Sequence, residues 1–193
     1  MKSITMTLIV ATAIAAFSLA MSASNSRAAP VLVAETGSIS GSIIVTKKIK
    51  TKGKTSQRDL VVYLEKVNDN NYPAPTEVVI VNQKRLNYDP HVLPLLKGSK
   101  VKFTNKDRVK HNLFSKDSCC QVDNDMEAGK EYEQVFAEAG TGQIVCRLHP
   151  EMSMFVVVLE NPFFTSVRLK RESKDGKKIY TGKFEIKNDP AGT

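Results

Sequence analysis

The 193-residue sequence is poor in several residue types and patterns, and each shortage narrows the possible classes of protein. It contains no Trp, 7% aromatic residues, three Cys and three His. No stretch keeps a helical hydrophobic period, so no extended helix is expected. No segment after the first 28 residues is apolar enough to span a bilayer. The basic residues are not interleaved with aromatic ones, which argues against a nucleic-acid partner.

The first 28 residues are predicted to be a signal peptide. Lys2 precedes an apolar run from Ile4 to Ala20, and Ser26–Ala28 places small residues three and one positions before a cleavage point. Ala23 is a second cleavage point, and an uncleaved anchor is the other option because the apolar run is long for a signal. Both options predict export, to the periplasm or an equivalent compartment.

The chain is basic, and its basic residues are concentrated in two stretches. Removal of residues 1–28 takes away Lys2 and Arg27 and no acid, so the net charge falls from +8 to +6. A positive balance favours acidic partners through long-range steering. The first basic stretch, predicted to be a solvated hairpin loop, contains Lys47, Lys48, Lys50, Lys52, Lys54 and Arg58. The second is the tail after Pro162.

Short runs rich in Val, Ile, Phe and Tyr alternate with Pro- and Gly-containing breakers such as Asp89-Pro90 and Pro94, which predicts strands and turns. The predicted strands are Ser38–Val45, Leu60–Val67, Glu77–Val81, Lys100–Asn105, Gln134–Ala137, Gly142–Leu148 and Phe155–Glu160. Strands at this spacing favour an all-β, antiparallel Greek-key sandwich or barrel. We place this domain at residues 36–160. Residues 161–193 are predicted to be a basic C-terminal extension, either a hairpin or a truncated β-sandwich remnant.

Four residues form a pattern of metal ligands. Cys146, His149 and Met152 follow one another at three-residue intervals where a strand runs into a loop, and His111 follows an upstream strand and a polar turn. Two imidazoles and a thiolate in a plane, with a weak axial thioether, form an electron-transfer copper site. Each residue alone has an ordinary structural explanation, such as a buried core Cys or Met. Together they predict one mononuclear copper ion.

Met154 competes with Met152 for the axial position. Met152 stands three residues after His149, and Met154 stands five after it. Met152 leaves room for three loop residues before Val156, whereas Met154 would lie almost inside the strand. Met152 is therefore favoured, and Met154 stays an alternative.

The other histidine and the other cysteines lie outside this pattern. His91 has no second imidazole or sulfur near it in the sequence, which favours a structural or surface role. The adjacent Cys119 and Cys120 could form only a strained bridge or pair with another molecule. They also lack the Cys-x-x-Cys spacing expected of a zinc site with His111. Metal ligation would protect the remaining thiol, Cys146, in an oxidising compartment.

These residues resemble the ligand loops of the cupredoxin family, the small blue copper proteins that include plastocyanins and amicyanins. The resemblance covers Val78 to Glu160. The His-Pro-x-Met motif followed by Val156–Val158 is most similar to the ligand loop of amicyanins. The resemblance implies that the four residues named above bind copper, with Met152 axial. It also implies that Asn112 ties the two ligand loops together and donates a hydrogen bond towards the thiolate.

The resemblance implies an exported type 1 copper protein that carries single electrons by Cu(I)/Cu(II) cycling. The expected partner is a redox protein such as a c-type cytochrome or a dehydrogenase, with an acidic docking face. One alternative is a periplasmic copper-storage or delivery protein, and another is a β-sandwich interaction module with an incidental metal site. An enzyme is not expected, because copper oxidases and nitrite reductases need further histidine-rich centres and the sequence has three histidines.

Overall fold

The computed structural model describes residues 37–45, 59–67, 71–174 and 177–187. The predicted signal peptide at 1–28 and the basic stretch from Lys47 to Arg58 lie outside the described residues. Within the described ranges, no helix has the length and apolar character needed to cross a membrane.

The described chain consists of strands, turns and a 3-10 turn, which confirms the all-β prediction. The elements are β1 Ser38–Val45, β2 Asp59–Tyr63, β3 Val78–Gln83, β4 Tyr88–Asp89, β5 Val92–Leu96, β6 Ser99–Asn105, β7 His111–Ser115, the 3-10 turn Ser118–Cys120, β8 Val122–Met126, β9 Glu131–Phe136, β10 Gly140–Val145, β11 Ser153–Leu159, β12 Phe164–Arg168, β13 Lys170–Lys174 and β14 Lys177–Lys187.

Strand β6 shows how the sequence pattern produces a sandwich. Val101 and Phe103 are fully buried, while the alternating Lys100, Lys102 and Thr104 lie on the outer face. Lys102 forms ion pairs with two glutamates of β9 on that outer face. Since successive strand residues point to opposite faces, this alternation buries one face and solvates the other.

Two sheets enclose the core. One has five strands in the order β5-β11-β10-β7-β8, and the other has four in the order β4-β3-β6-β9. The buried core between them includes Val81, Tyr88, Val101, Phe103 and Phe136 from the four-stranded sheet, and Leu93, Leu95, Leu113, Ile144, Met154, Val156 and Val158 from the five-stranded sheet. The sheets are mixed rather than purely antiparallel, because β3 runs parallel to β6 and β5 runs parallel to β11.

Four of the nine strands in these two sheets were not predicted from the sequence, namely β4, β5, β7 and β8. β5 contains Pro94, which indicated a break, but β5 is an edge strand of its sheet, where the missing N–H of proline is tolerated. β8 is Val-Asp-Asn-Asp-Met, a composition with little β preference. β8 is a strand because it pairs antiparallel with β7, with Asn124 opposite Leu113.

The strands after Pro162 pair with the first strands of the chain. β12 pairs with β2, and β14 pairs with both β1 and β13. Val167, Leu169 and Ile186 are buried there, and Gly182 allows the close approach, because a Cβ at this position would lie 2.6 Å from Cγ1 of Val167. The boundary drawn at residue 160 stays a prediction, and strands on its two sides share sheets.

Candidate metal centre

Three of the predicted ligands come from segments that the five-stranded sheet brings together. His111 is the first residue of β7, and Cys146 directly follows the end of β10. The two strands are antiparallel, with Val145 opposite Phe114, so the first residues of β7 lie beside the segment that follows β10. His149 lies in the turn that connects Cys146 to β11.

The donor atoms of these three side chains converge on one point. Nδ1 of His111 lies 3.1 Å from Nδ1 of His149, and the latter nitrogen lies 3.6 Å from Sγ of Cys146. All three donor atoms lie within 4.8 Å of one another. A single metal ion is therefore within reach of all three.

The site is largely closed to solvent. The exposed fractions of His111 and Cys146 are 0% and 2%, and His149 is half-buried. Two imidazoles with one thiolate are the equatorial donors of an electron-transfer copper site. The residues present therefore fit one copper ion.

The family comparison agrees with this donor chemistry. The family model described as copper-binding proteins of the plastocyanin/azurin family matches residues 75–160. Over these residues the chain is similar to the cupredoxin family. The resemblance found in the sequence is thereby confirmed, and the donor set and the family match agree on one copper ion as the cofactor.

Several solved structures are similar to the chain. A purple cupredoxin from Nitrosopumilus maritimus shows 27% identity over 42% of this chain and 97% of its own, with a TM-score of 0.36. The reduced state of an amicyanin mutant shows 23% identity over 53% of this chain and 99% of its own, with a TM-score of 0.40. A copper-containing nitrite reductase from Thermus scotoductus SA-01 shows 23% identity over 45% of this chain and 23% of its own, with a TM-score of 0.38. No curated protein matches the sequence.

The two candidate axial methionines occupy different places beside the site. The N–H of Cys146 donates to the carbonyl of Met152 at 3.1 Å, and the N–H of Met152 donates to the carbonyl of His149 at 2.9 Å. Met154 lies inside β11, opposite Ile144. Both methionine side chains are fully buried. Both side chains belong to the hydrophobic core, but the backbone of Met152 is hydrogen-bonded to Cys146, whereas Met154 is one residue inside β11.

Asp107 holds the outer edge of the His111 ring. Its Oδ2 lies 2.9 Å from Nε2 of His111, and its carboxylate also accepts the N–H groups of Arg85 at 2.6 Å and Leu86 at 3.0 Å. Burial acts to raise the pKa of the Asp107 carboxyl, but these hydrogen bonds outweigh it and hold the pKa below its ordinary value. A carboxylate only accepts hydrogen bonds, so Nε2 of His111 donates and Nδ1 is left facing Nδ1 of His149.

Asn112 joins the two ligand segments. Its backbone N–H donates to Sγ of Cys146 at 3.3 Å, so the hydrogen bond towards the thiolate comes from the main chain. Its side-chain amide donates to Asp125 at 2.9 Å and Asp123 at 3.3 Å. Its Oδ1 accepts from Nε of Arg147 at 3.3 Å.

Tyr88 supports the site from the opposite sheet. Its hydroxyl donates to the carbonyl of Asn112 at 3.1 Å. Burial raises the pKa of Tyr88, and the electrostatic effect of the nearby Cys146 raises it further. This role was not predicted from the sequence, which offers no signal for it. Asp107 and Arg147 were also missed, although Asp107 lies four residues before His111 and Arg147 directly follows Cys146.

The remaining histidine and cysteines lie apart from the donor trio. Nδ1 of His91 lies 2.8 Å from the carbonyl of Ser153, and its ring packs edge-on against Phe155. Cys119 and Cys120 are buried free cysteines. Burial and the neighbouring Cys120 raise the pKa of the Cys119 thiol to about 12. Among the described residues, these side chains form no three-donor cluster of their own.

Proposed function

We propose that the cupredoxin domain is an electron carrier that holds one copper ion with His111, Cys146 and His149, and with Met152 as the axial ligand. The observation that carries the proposal is the convergence of two imidazole nitrogens and one cysteine sulfur in a largely buried site. When bound in such a site, copper supplies a one-electron Cu(I)/Cu(II) couple, since sulfur suits Cu(I) and imidazole suits both states.

The protein supplies rigidity around the donors. Asp107 fixes the ring of His111, and the N–H of Asn112 fixes the sulfur of Cys146. The backbone bonds between Cys146, His149 and Met152 hold the ligand loop. Because electron transfer is fastest when atoms move little between oxidation states, such a pre-organised site suits a carrier.

The donor that reaches the surface marks the contact region for a partner. His149 is the least buried of the trio, and Leu148 beside it is 52% exposed. Val109, close in the chain to His111, is 47% exposed. An apolar contact region around the exposed edge of His149 would allow a redox partner to approach the centre closely.

Basic side chains in the loops beside the centre support an acidic partner. Lys84 and Arg85 are exposed in one of these loops, and Lys106 and Arg108 are exposed in the other. The two loops are joined through the hydrogen bonds of Asp107. We infer a redox protein with an acidic docking face, such as a c-type cytochrome or a dehydrogenase, which these charges would steer to the centre.

The decisive experiment is the visible spectrum of the purified protein after addition of Cu(II). An intense thiolate-to-copper band is expected, together with reversible one-electron reduction. Cys146→Ser should abolish the band, while the matched variant Cys119→Ser should keep it. A missing band in the wild type, or a band that persists in Cys146→Ser, overturns the proposal.

Metal exchange separates a carrier from a storage or delivery protein that uses the same residues. The complete burial of His111 and near-complete burial of Cys146 support slow release of copper. A chelator added in excess should therefore bleach the visible band slowly. Rapid bleaching would support delivery instead.

We also propose that the protein acts after export. The support is the N-terminal sequence, in which Lys2 precedes an apolar run from Ile4 to Ala20 and Ala28 follows. Expression of the full chain in a Gram-negative host and N-terminal sequencing of the periplasmic fraction test this. A protein retained in the cytoplasm with Met1 intact would contradict it.

A further inference from the structure

Arg147, the residue after Cys146, makes three contacts at once. Its Nε donates to Oδ1 of Asn112 at 3.3 Å, and Nη2 forms an ion pair with Asp123. The guanidinium also lies over the ring of Phe114, 4.5 Å from the ring centroid. A planar guanidinium can bond to two acceptors and stack on a ring at the same time, which the ammonium of lysine cannot do.

These contacts form a closed circuit of covalent and hydrogen bonds that includes the sulfur of Cys146. The backbone joins Cys146 to Arg147, the Arg147 side chain bonds the Asn112 side chain, and the Asn112 N–H returns to Sγ of Cys146 at 3.3 Å. Asp123 completes the arrangement, because it binds both Arg147 and the amide of Asn112. Arg147, which lies in the ligand loop, therefore helps to fix the position of the Asn112 N–H.

A hydrogen bond to the thiolate influences a copper couple. An N–H that donates to sulfur stabilises negative charge on the sulfur and weakens its donation to Cu(II). Loss of the bond favours Cu(II) and lowers the reduction potential. Removal of the nearby positive charge acts in the same direction.

We propose that Arg147 is a positioning residue that fixes the carboxamide of Asn112, and through it the N–H bond to Cys146, and so sets the reduction potential of the centre. The effect on the potential rests on the proposed function. The effect on Asn112 does not rest on the proposed function, because it is expected in the metal-free protein as well. The planar guanidinium holds the Asn112 carboxamide in place, so a side chain that keeps only the positive charge does not replace it.

The first test measures amide hydrogen exchange of Asn112 by NMR in the metal-free full-length protein. R147Q should speed exchange by about fivefold or more, as expected for the loss of a typical hydrogen bond. R147K should also exchange faster than the wild type. K102Q is the matched control, since Lys102 carries the same charge and two ion pairs on the outer face of β6, and it should exchange like the wild type.

The second test measures the midpoint potential of the copper-loaded variants. R147Q should lower the reduction equilibrium constant about tenfold, equivalent to about 59 mV for a one-electron couple. R147K should lie between R147Q and the wild type, and K102Q should match the wild type.

Three results overturn the inference: unchanged Asn112 exchange in R147Q, wild-type exchange in R147K, or an equal drop in potential in R147Q and K102Q. Folding of each variant is checked by the chemical-shift spread, and R147K remains as a test if R147Q fails to fold. Absence of the copper band would overturn the proposed function and leave the exchange result standing.

Discussion

Nε2 of His111 donates a hydrogen bond to the carboxylate of Asp107 at 2.9 Å, and this bond connects the metal centre to an unusual turn. The same carboxylate accepts the N–H groups of Arg85 and Leu86. Both of these residues have φ near +57°, in the left-handed region that non-glycine residues occupy at a cost. The turn persists because the carboxylate satisfies both N–H groups, so Asp107 fixes the turn and the ring of His111 together.

Removal of the Asp107 carboxylate should destabilise the metal-free protein. Asp107→Ala leaves the N–H groups of Arg85 and Leu86 without this partner, and we expect a loss of about 2–4 kcal/mol in the free energy of unfolding. Urea denaturation measures this loss. The control is Asp59→Ala, which removes an ion pair of 3.9 Å with Arg168 and should cost about 0.5 kcal/mol or less. Equal losses in the two variants would contradict the role of Asp107.

The same carboxylate predicts a dependence of stability on pH. The pKa of Asp107 is lower in the folded protein than its ordinary value, which is about 3.9 in unfolded chains. Its contribution is therefore fully present above that value and is lost as the pH falls through the lower folded pKa. The difference in unfolding free energy between the metal-free wild type and Asp107→Asn should narrow as the pH is lowered from about 5 through this range. A difference that stays constant with pH would contradict it.

The convergence of His111, Cys146 and His149 could be predicted from the sequence, because the pattern that marks them is local. Cys146 and His149 stand three residues apart in one loop, and the strand pattern before His111 marks the second segment. The alternation in β6 is equally local, since Val101 and Phe103 are apolar between polar neighbours.

The supporting contacts could not be predicted, because they depend on which loops meet in space. Asp107 reaches Arg85 across 22 residues of sequence, and Tyr88 reaches Asn112 across 24. Neither residue type nor spacing specifies such a contact. The parallel edge strand with Pro94 was missed for a related reason: its neighbour β11, rather than its own composition, makes it a strand.

The choice between Met152 and Met154 can be tested with leucine variants. Leucine has a similar volume, so either substitution should cost less than about 1.5 kcal/mol in stability. Met152→Leu should shift the visible spectrum and the reduction potential, because the backbone of Met152 is hydrogen-bonded to that of Cys146 beside the site. Met154→Leu should leave both unchanged, since Met154 lies opposite Ile144 in β11. The reverse pattern would assign the axial role to Met154.

Asn105 should be among the most sensitive polar positions for folding. Its fully buried amide nitrogen donates to the carbonyls of Val109, Met126 and Glu127, and its Oδ1 accepts the N–H of Asp107 at 3.0 Å. Asn105→Ala removes these bonds from a fully buried position and should lower the unfolding free energy by about 2–4 kcal/mol. Asn105→Asp keeps the acceptor but loses the donors, so it should not restore stability. Wild-type stability of either variant would show that water replaces these bonds.

The contact between Gly142 and Cys120 should appear as a coupling between two substitutions. A Cβ at Gly142 would clash with Sγ of Cys120 and would lie 2.8 Å from Cβ of Asp117. Gly142→Ala should therefore destabilise the protein by about 1–3 kcal/mol through overpacking. Addition of Cys120→Ala removes the sulfur and should recover part of that loss, with the remainder due to Asp117. Gly37→Ala is the control, because nothing lies within 4 Å of its Cβ position. Strictly additive effects of the two substitutions in urea denaturation would show that the sulfur is not the obstacle.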